Sequence, residues 1–125
     1  MKWNEIIKRS KDMLLVEDSK KRIESTKLKS LDWFDIARDE KCFEYYLLNK
    51  NYKTLWLDYD LTRIWKLKDR QNSYSIIKKY KNHFKNSHIE LIVIHSWNPL
   101  GAIKLYLALR GLGIKIVVKR HWIIL

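Results

Sequence analysis

The sequence predicts an α/β domain built on a short five-stranded parallel sheet flanked by helices. Three observations lead there. Five short, mostly apolar segments of four to six residues recur along the chain, a length that suits buried strands and is short for helices. The segments between them place apolar residues at i, i+3 and i+4, the helical period. The chain holds only one Pro and three Gly, so no linker interrupts the alternation, which favours parallel pairing with right-handed crossovers. Residues 1–125 are therefore read as a single domain, with 1–12 as an N-terminal helical extension.

Taken in order, Trp3, Ile6 and Ile7 give a short amphipathic helix. Met13-Leu14-Leu15-Val16 is the first strand and runs into Glu17-Asp18-Ser19; Lys20, Lys21 and Arg22 then open a helix that contains Ile23. A weaker second strand lies around Trp33-Phe34-Asp35-Ile36. Asp39 suits the N-cap of the next helix, where Phe43, Tyr46 and Leu47 share a face. Thr54-Leu55-Trp56-Leu57 is the third strand and also meets acids, Asp58 and Asp60. The pattern between Leu61 and Arg70 reads as a loop, and residues 72–85 as one helix with Ile77, Tyr80 and Phe84 inward. Residues 89–94 form the fourth strand, stopping at His95-Ser96-Trp97-Asn98-Pro99. Asn98 as N-cap with Pro99 at the first helical position starts a helix that ends at Gly111 or Gly113, both suited to a left-handed cap. Residues 114–118 are the fifth strand, followed by Lys119; the chain stops at Leu125, so a final helix is short or missing.

Composition narrows the function classes. Hydrophobic residues make up 46% and charged residues 32%, which argues for a folded chain over a disordered one. No apolar run approaches the ~20 residues of a membrane-spanning helix, and the early acid Glu5 speaks against a secretory signal. One cysteine, Cys42, makes no internal disulfide, so the expected setting is a reducing cytoplasm. The net charge of +12 favours polyanionic partners such as RNA, DNA or an anionic nucleotide. The competing explanation is a Lys-, Ile- and Asn-rich composition whose scattered lysines are merely solvated.

In an open parallel sheet, sites form beyond the carboxyl ends of the strands. That rim receives Glu17 and Asp18 from strand one, Asp58 and Asp60 from strand three, His95, Ser96 and Asn98 from strand four, and Lys119 from strand five. Converging carboxylates repel unless a positive charge lies between them, and Mg²⁺ or Mn²⁺ with oxygen ligands meets that need. Such an ion with Lys119 would offset phosphoryl charge, Ser96 would hydrogen-bond a phosphoryl oxygen, and the amides after Asn98 add an anion site. Taken singly, an acid after a strand is a cap, His95 a packed histidine, and Lys119 a solvated one; the joint placement carries the functional reading. The four histidines and Cys42 show no zinc spacing, and no phosphate-binding glycine fingerprint is present. Trp97 and Trp122 are the candidates for stacking on a base.

Three stretches carry a family resemblance: Val16-Glu17-Asp18-Ser19-Lys20-Lys21-Arg22-Ile23, Leu57-Asp58-Tyr59-Asp60-Leu61 and Ile94-His95-Ser96-Trp97-Asn98-Pro99-Leu100-Gly101. Together they resemble the cyclic-phosphate processing receiver-like family, within the receiver (flavodoxin-like) fold of response regulators, over residues 13–119. The resemblance implies that Glu17, Asp18 and Asp58 hold a divalent metal, with Asp60 assisting or lending its carbonyl. His95, Ser96 and Asn98 would line the phosphate side, and His95 or a carboxylate would handle the proton. Implied substrates are the cyclic phosphate ends of RNA or a cyclic nucleotide. Tyr59 stands where the family has His, and no Gly follows Leu61.

Three functions follow for test. One is a metal-dependent phosphoesterase whose catalytic residues include Asp58, His95, Ser96 and Lys119. Another is a non-catalytic receiver-like module that binds phosphate or a protein partner, or is phosphorylated on Asp58. The third is a small basic nucleic-acid-binding phage effector using the fold as scaffold.

Overall fold

A computed structural model of the chain describes residues 12–17, 34–61, 71–96 and 98–119. The strands are β1 (Met13–Val16), β2 (Phe34–Ala37), β3 (Thr54–Leu57), β4 (Leu91–Ile94) and β5 (Lys115–Val118). The helices are α1 (Glu40–Asn49), α2 (Ser73–Lys79), α3 (Lys81–Lys85) and α4 (Pro99–Leu109). Every strand pairing is parallel, in the order β2-β1-β3-β4-β5. This is the flavodoxin-like strand order, in keeping with the receiver fold that the resemblance implies. The chain leaves β1 toward one edge and returns to build outward on its other side, so the topological switch falls between β1 and β3.

Strand alternation divides the core in two. Leu14 and Val16, Leu55 and Leu57, and Ile92 and Ile94 face the layer formed by the helices, where they meet Phe43, Leu47, Ile77, Phe84, Leu105 and Leu109. Leu15, with Met13, Ile36 and Trp56, lies on the other face. Helix α2 packs against both α1 and α4 and so occupies the middle of the helical layer.

Local capping explains where the helices begin. Asp39 accepts a hydrogen bond from the Cys42 amide at 2.7 Å, as its sequence position predicts. Asn98 accepts from the Gly101 amide at 3.0 Å, with Pro99 in the first turn. At the end of α4, Arg110 is the C-cap and Gly111 follows at φ +84°, a left-handed conformation that glycine adopts without strain.

Two boundaries differ from the sequence reading. The single helix expected over 72–85 divides at Tyr80, whose φ of −113° and ψ of 31° leave the helical region. Ile76 and Ile77 are buried from the first segment and Phe84 from the second, while Lys79 and His83 both reach α1, at Glu44 (3.2 Å) and the Leu47 carbonyl (3.0 Å). Tertiary anchors crowded onto one short stretch override helical propensity. The fourth strand begins at Leu91, not Ile89, because its partner β3 begins at Thr54, opposite Leu91. The Glu90 amide instead donates to the Lys53 carbonyl at 2.8 Å.

The expected helices at 3–7 and after Lys20, the residue Trp33, the loop over 62–70 and the region of the final helix at 120–125 lie outside the described residues. Among the described residues no helix is long and apolar enough to cross a membrane.

Candidate functional site

The last residues in sheet register are Ala37, Val16, Leu57, Ile94 and Val118. Backbone pairing continues one residue beyond them. The amides of Glu17, Asp58, His95 and Lys119 donate to the carbonyls of Ala37, Val16, Leu57 and Ile94 at 3.0, 3.0, 2.9 and 2.7 Å. The carboxyl edge therefore carries one row in sheet order: Arg38, Glu17, Asp58, His95, Lys119. Adjacent members are about one strand spacing apart, ~4.8 Å. Two carboxylates sit at the centre, a histidine follows, and a cation stands at each end.

Burial marks this edge. Apart from Tyr52, the buried polar side chains among the described residues are Glu17, Asp58, Ser73, His95 and Ser96; four of them directly follow β1, β3 and β4, and Ser73 opens α2. Burying ionisable groups costs free energy unless they are paired or hydrogen-bonded. Glu17 and His95 answer that cost together: Glu17 Oε2 lies 3.4 Å from His95 Nδ1, with side-chain exposures of 1% and 7%. On the same side of the sheet the Trp56 ring lies 6.2 Å from the His95 ring, and Lys119 Nζ sits 5.5 Å from the Trp56 ring centroid. The exposed Lys119 is thereby held over the pocket rim by a cation–π contact.

The loops are fixed by their own hydrogen bonds. Ser73 Oγ donates to the Asp58 carbonyl at 2.6 Å, and the Ser73 amide donates to the Tyr59 carbonyl at 2.9 Å. This pins the turn that presents Asp58. Ser96 Oγ accepts from the Asn98 amide at 3.1 Å. Asn98 Nδ2 donates to Asp60 Oδ2 at 3.4 Å while its Oδ1 caps α4, so Asn98 links the β4 loop to the β3 loop. Gly101 lies against Tyr59: a Cβ there would overlap the Cβ, Cγ and Cδ1 atoms of that residue.

Of the residues that sequence reading selects, the structure thus gathers Glu17, Asp58, His95 and Lys119 into one row, with Ser96 next along the chain. Asn98 and Asp60 lie beside the row, Asp60 on the exposed side. Asp18, Trp97 and Trp122 fall outside the described residues. Sequence reading missed Arg38, Trp56 and Ser73. The first two carried a usable signal, since Arg38 also follows a strand directly and Trp56 alternates onto the same face as Asp58. Ser73 had no such signal, because its partner is a carbonyl 15 residues away.

The two carboxylates of the row are oxygen donors, the kind a hard divalent cation takes. Two carboxylates, Glu17 and Asp58, are buried on adjacent strands, where they repel unless a proton or a cation lies between them. Among the described residues no three His, Cys, Asp or Glu side chains form a metal-holding group; Asp18 is the further donor that the sequence offers. Elsewhere, a cavity of about 420 Å³ opens at the amino edge of the sheet. Its lining sets Lys53 and His88 against Asp12 and Glu90 around the buried Tyr52.

The model of one protein family, the cyclic-phosphate processing receiver domain, matches residues 13–111. No curated protein and no solved structure matches the chain.

Proposed function

Starting from the family to which this chain belongs, the cyclic-phosphate processing receiver domains, we propose that the carboxyl-edge row is a metal-dependent phosphoesterase site for a cyclic phosphate, on an RNA end or a nucleotide. The observation that carries this reading is the concentration of buried Glu17, Asp58, His95 and Ser96 on one edge. Opening the ring adds water: one phosphorus–oxygen bond forms, one bond to a ribose oxygen breaks, and the leaving oxygen gains a proton. His95, held against Glu17 at the end of β4, is the group that handles the proton. Ser96 Oγ accepts from the Asn98 amide, which directs its own hydroxyl proton toward a phosphoryl oxygen. Lys119 offsets charge at the rim. Mg²⁺ or Mn²⁺, held by Glu17 and Asp58 with Asp18 and Asp60, would polarise the phosphoryl group.

The test is turnover of 2′,3′-cyclic nucleotides and cyclic-ended RNA with Mg²⁺ or Mn²⁺. Asp58→Ala is expected to abolish turnover while keeping the melting transition of the parent. If the parent protein leaves all these substrates intact with either metal, the enzymatic reading fails. Asp58, Ser96 and Lys119 at the ends of β3, β4 and β5 also favour a second reading, a receiver that accepts phosphate on Asp58. Acetyl-phosphate labelling that disappears in Asp58→Asn would establish it.

A further inference from the structure

Charge is divided unevenly along the chain. From Gln71 to Lys119 the sequence has one acid, Glu90, against eight Lys or Arg. Four of those bases, Lys78, Lys79, Lys81 and Lys85, stand on α2 and α3, and all four are exposed. Their contacts separate them into two groups. Lys79 and His83, four apart, share the flank that meets α1, where Lys79 pairs with Glu44 at 3.2 Å and His83 bonds the Leu47 carbonyl at 3.0 Å. Lys78 on α2 and Lys81 and Lys85 on α3 take no part in those contacts. α4, the other helix packed against α2, carries Lys104 and Arg110 and no acid, whereas α1 carries Glu40 and Glu44. Among the described residues Lys79 is thus neutralised by Glu44, while no ion pair engages Lys78, Lys81 or Lys85.

We propose that Lys78, Lys81 and Lys85 form a track for the phosphate backbone of a single-stranded nucleic acid, separate from the carboxyl-edge site. The track's three ammonium groups would each neutralise one phosphate of the strand. Asn82 and Asn86, both exposed on α3 or at its end, add neutral hydrogen-bond donors. None of the large exposed hydrophobic residues, which cluster on α1, α4 and β5, belongs to α2 or α3. An anionic membrane would call for apolar insertion beside the basic residues, and an acidic protein partner for an apolar or aromatic anchor; the track has neither.

The test measures binding of a short oligouridylate RNA to the full chain between about 50 and 200 mM salt. A triple Lys78→Gln, Lys81→Gln, Lys85→Gln variant is expected to bind at least tenfold more weakly. Its slope of log affinity against log salt should fall by about two, at ~0.7 for each phosphate no longer neutralised. The matching triple Lys→Arg variant should bind like the parent, and turnover of a cyclic mononucleotide should be equal in all three proteins. Parental affinity and slope in the Gln variant would overturn the proposal. So would a parent that ignores the RNA but binds phosphatidylserine vesicles or polyglutamate.

Discussion

Tyr52 shows how far one side chain can carry consequences away from the site. Its hydroxyl donates to Asp35 Oδ2 at 2.6 Å, and Lys50 Nζ reaches the same oxygen at 3.1 Å. Burial first, and then the Asp35 carboxylate, push the Tyr52 hydroxyl far above its ordinary value near 10. The folded state thus keeps a proton that the unfolded chain releases, and unfolding stability falls as pH rises above about 10. Tyr52→Phe is expected to cost about 1–2 kcal/mol at neutral pH and to lessen the decline above pH 10; denaturant melts of both proteins across alkaline pH check this. Nothing in the spelling around residue 52 announces the bond, because Asp35 lies on β2 and meets Tyr52 only after the chain has passed through α1. The acids at the strand ends were legible for the opposite reason: each directly follows an apolar run, so its place on the rim needs only the strand.

At the scale of elements, the start of α4 joins helix chemistry to the site. The Asn98 cap and Pro99 were legible because capping depends on neighbours within a few residues. What Gly101 does was not legible, since the reason for glycine there is Tyr59 from the β3 loop, in van der Waals contact where a methyl would sit. Gly101→Ala is expected to destabilise the domain by about 1–3 kcal/mol, as overpacking does. Combining it with Tyr59→Ala should recover most of that loss. A double-mutant cycle by chemical denaturation measures the coupling, and additive effects would show that the two residues do not compete for space. Tyr59, which departs from the family pattern, thus has a structural partner in the family's own glycine. The division of the expected 72–85 helix belongs to the same scale: its apolar period continues through Tyr80, and only anchoring to α1 and the core separates the two segments.

For the molecule as a whole, the central question is whether the buried acids of β1 and β3 share a cation. If they do, a divalent ion binds the folded state alone and stabilises it by RT ln(1 + [L]/Kd), about 2.7 kcal/mol at a hundredfold excess over Kd. Mn²⁺ is expected to raise the melting temperature of the parent protein, with the rise lost in Glu17→Gln. An unshifted melt at millimolar Mn²⁺ would count against the metal, whatever the activity. Tyr52 lines the cavity at the amino edge, away from these two carboxylates, so Tyr52→Phe should keep the Mn²⁺ response.

By itself the sequence determined the five strands, most helix starts, and the polar residues that close four of the five strands, because periodicity and capping act over a few residues. Only the tertiary structure decided the order β2-β1-β3-β4-β5, and with it the row in which Arg38 joins Glu17, Asp58, His95 and Lys119. It also decided that Trp56 lies between His95 and Lys119. Neighbours in this sheet are separated by whole crossover helices in the chain, and pairing over such distances is set by packing of the complete core, which no local pattern encodes.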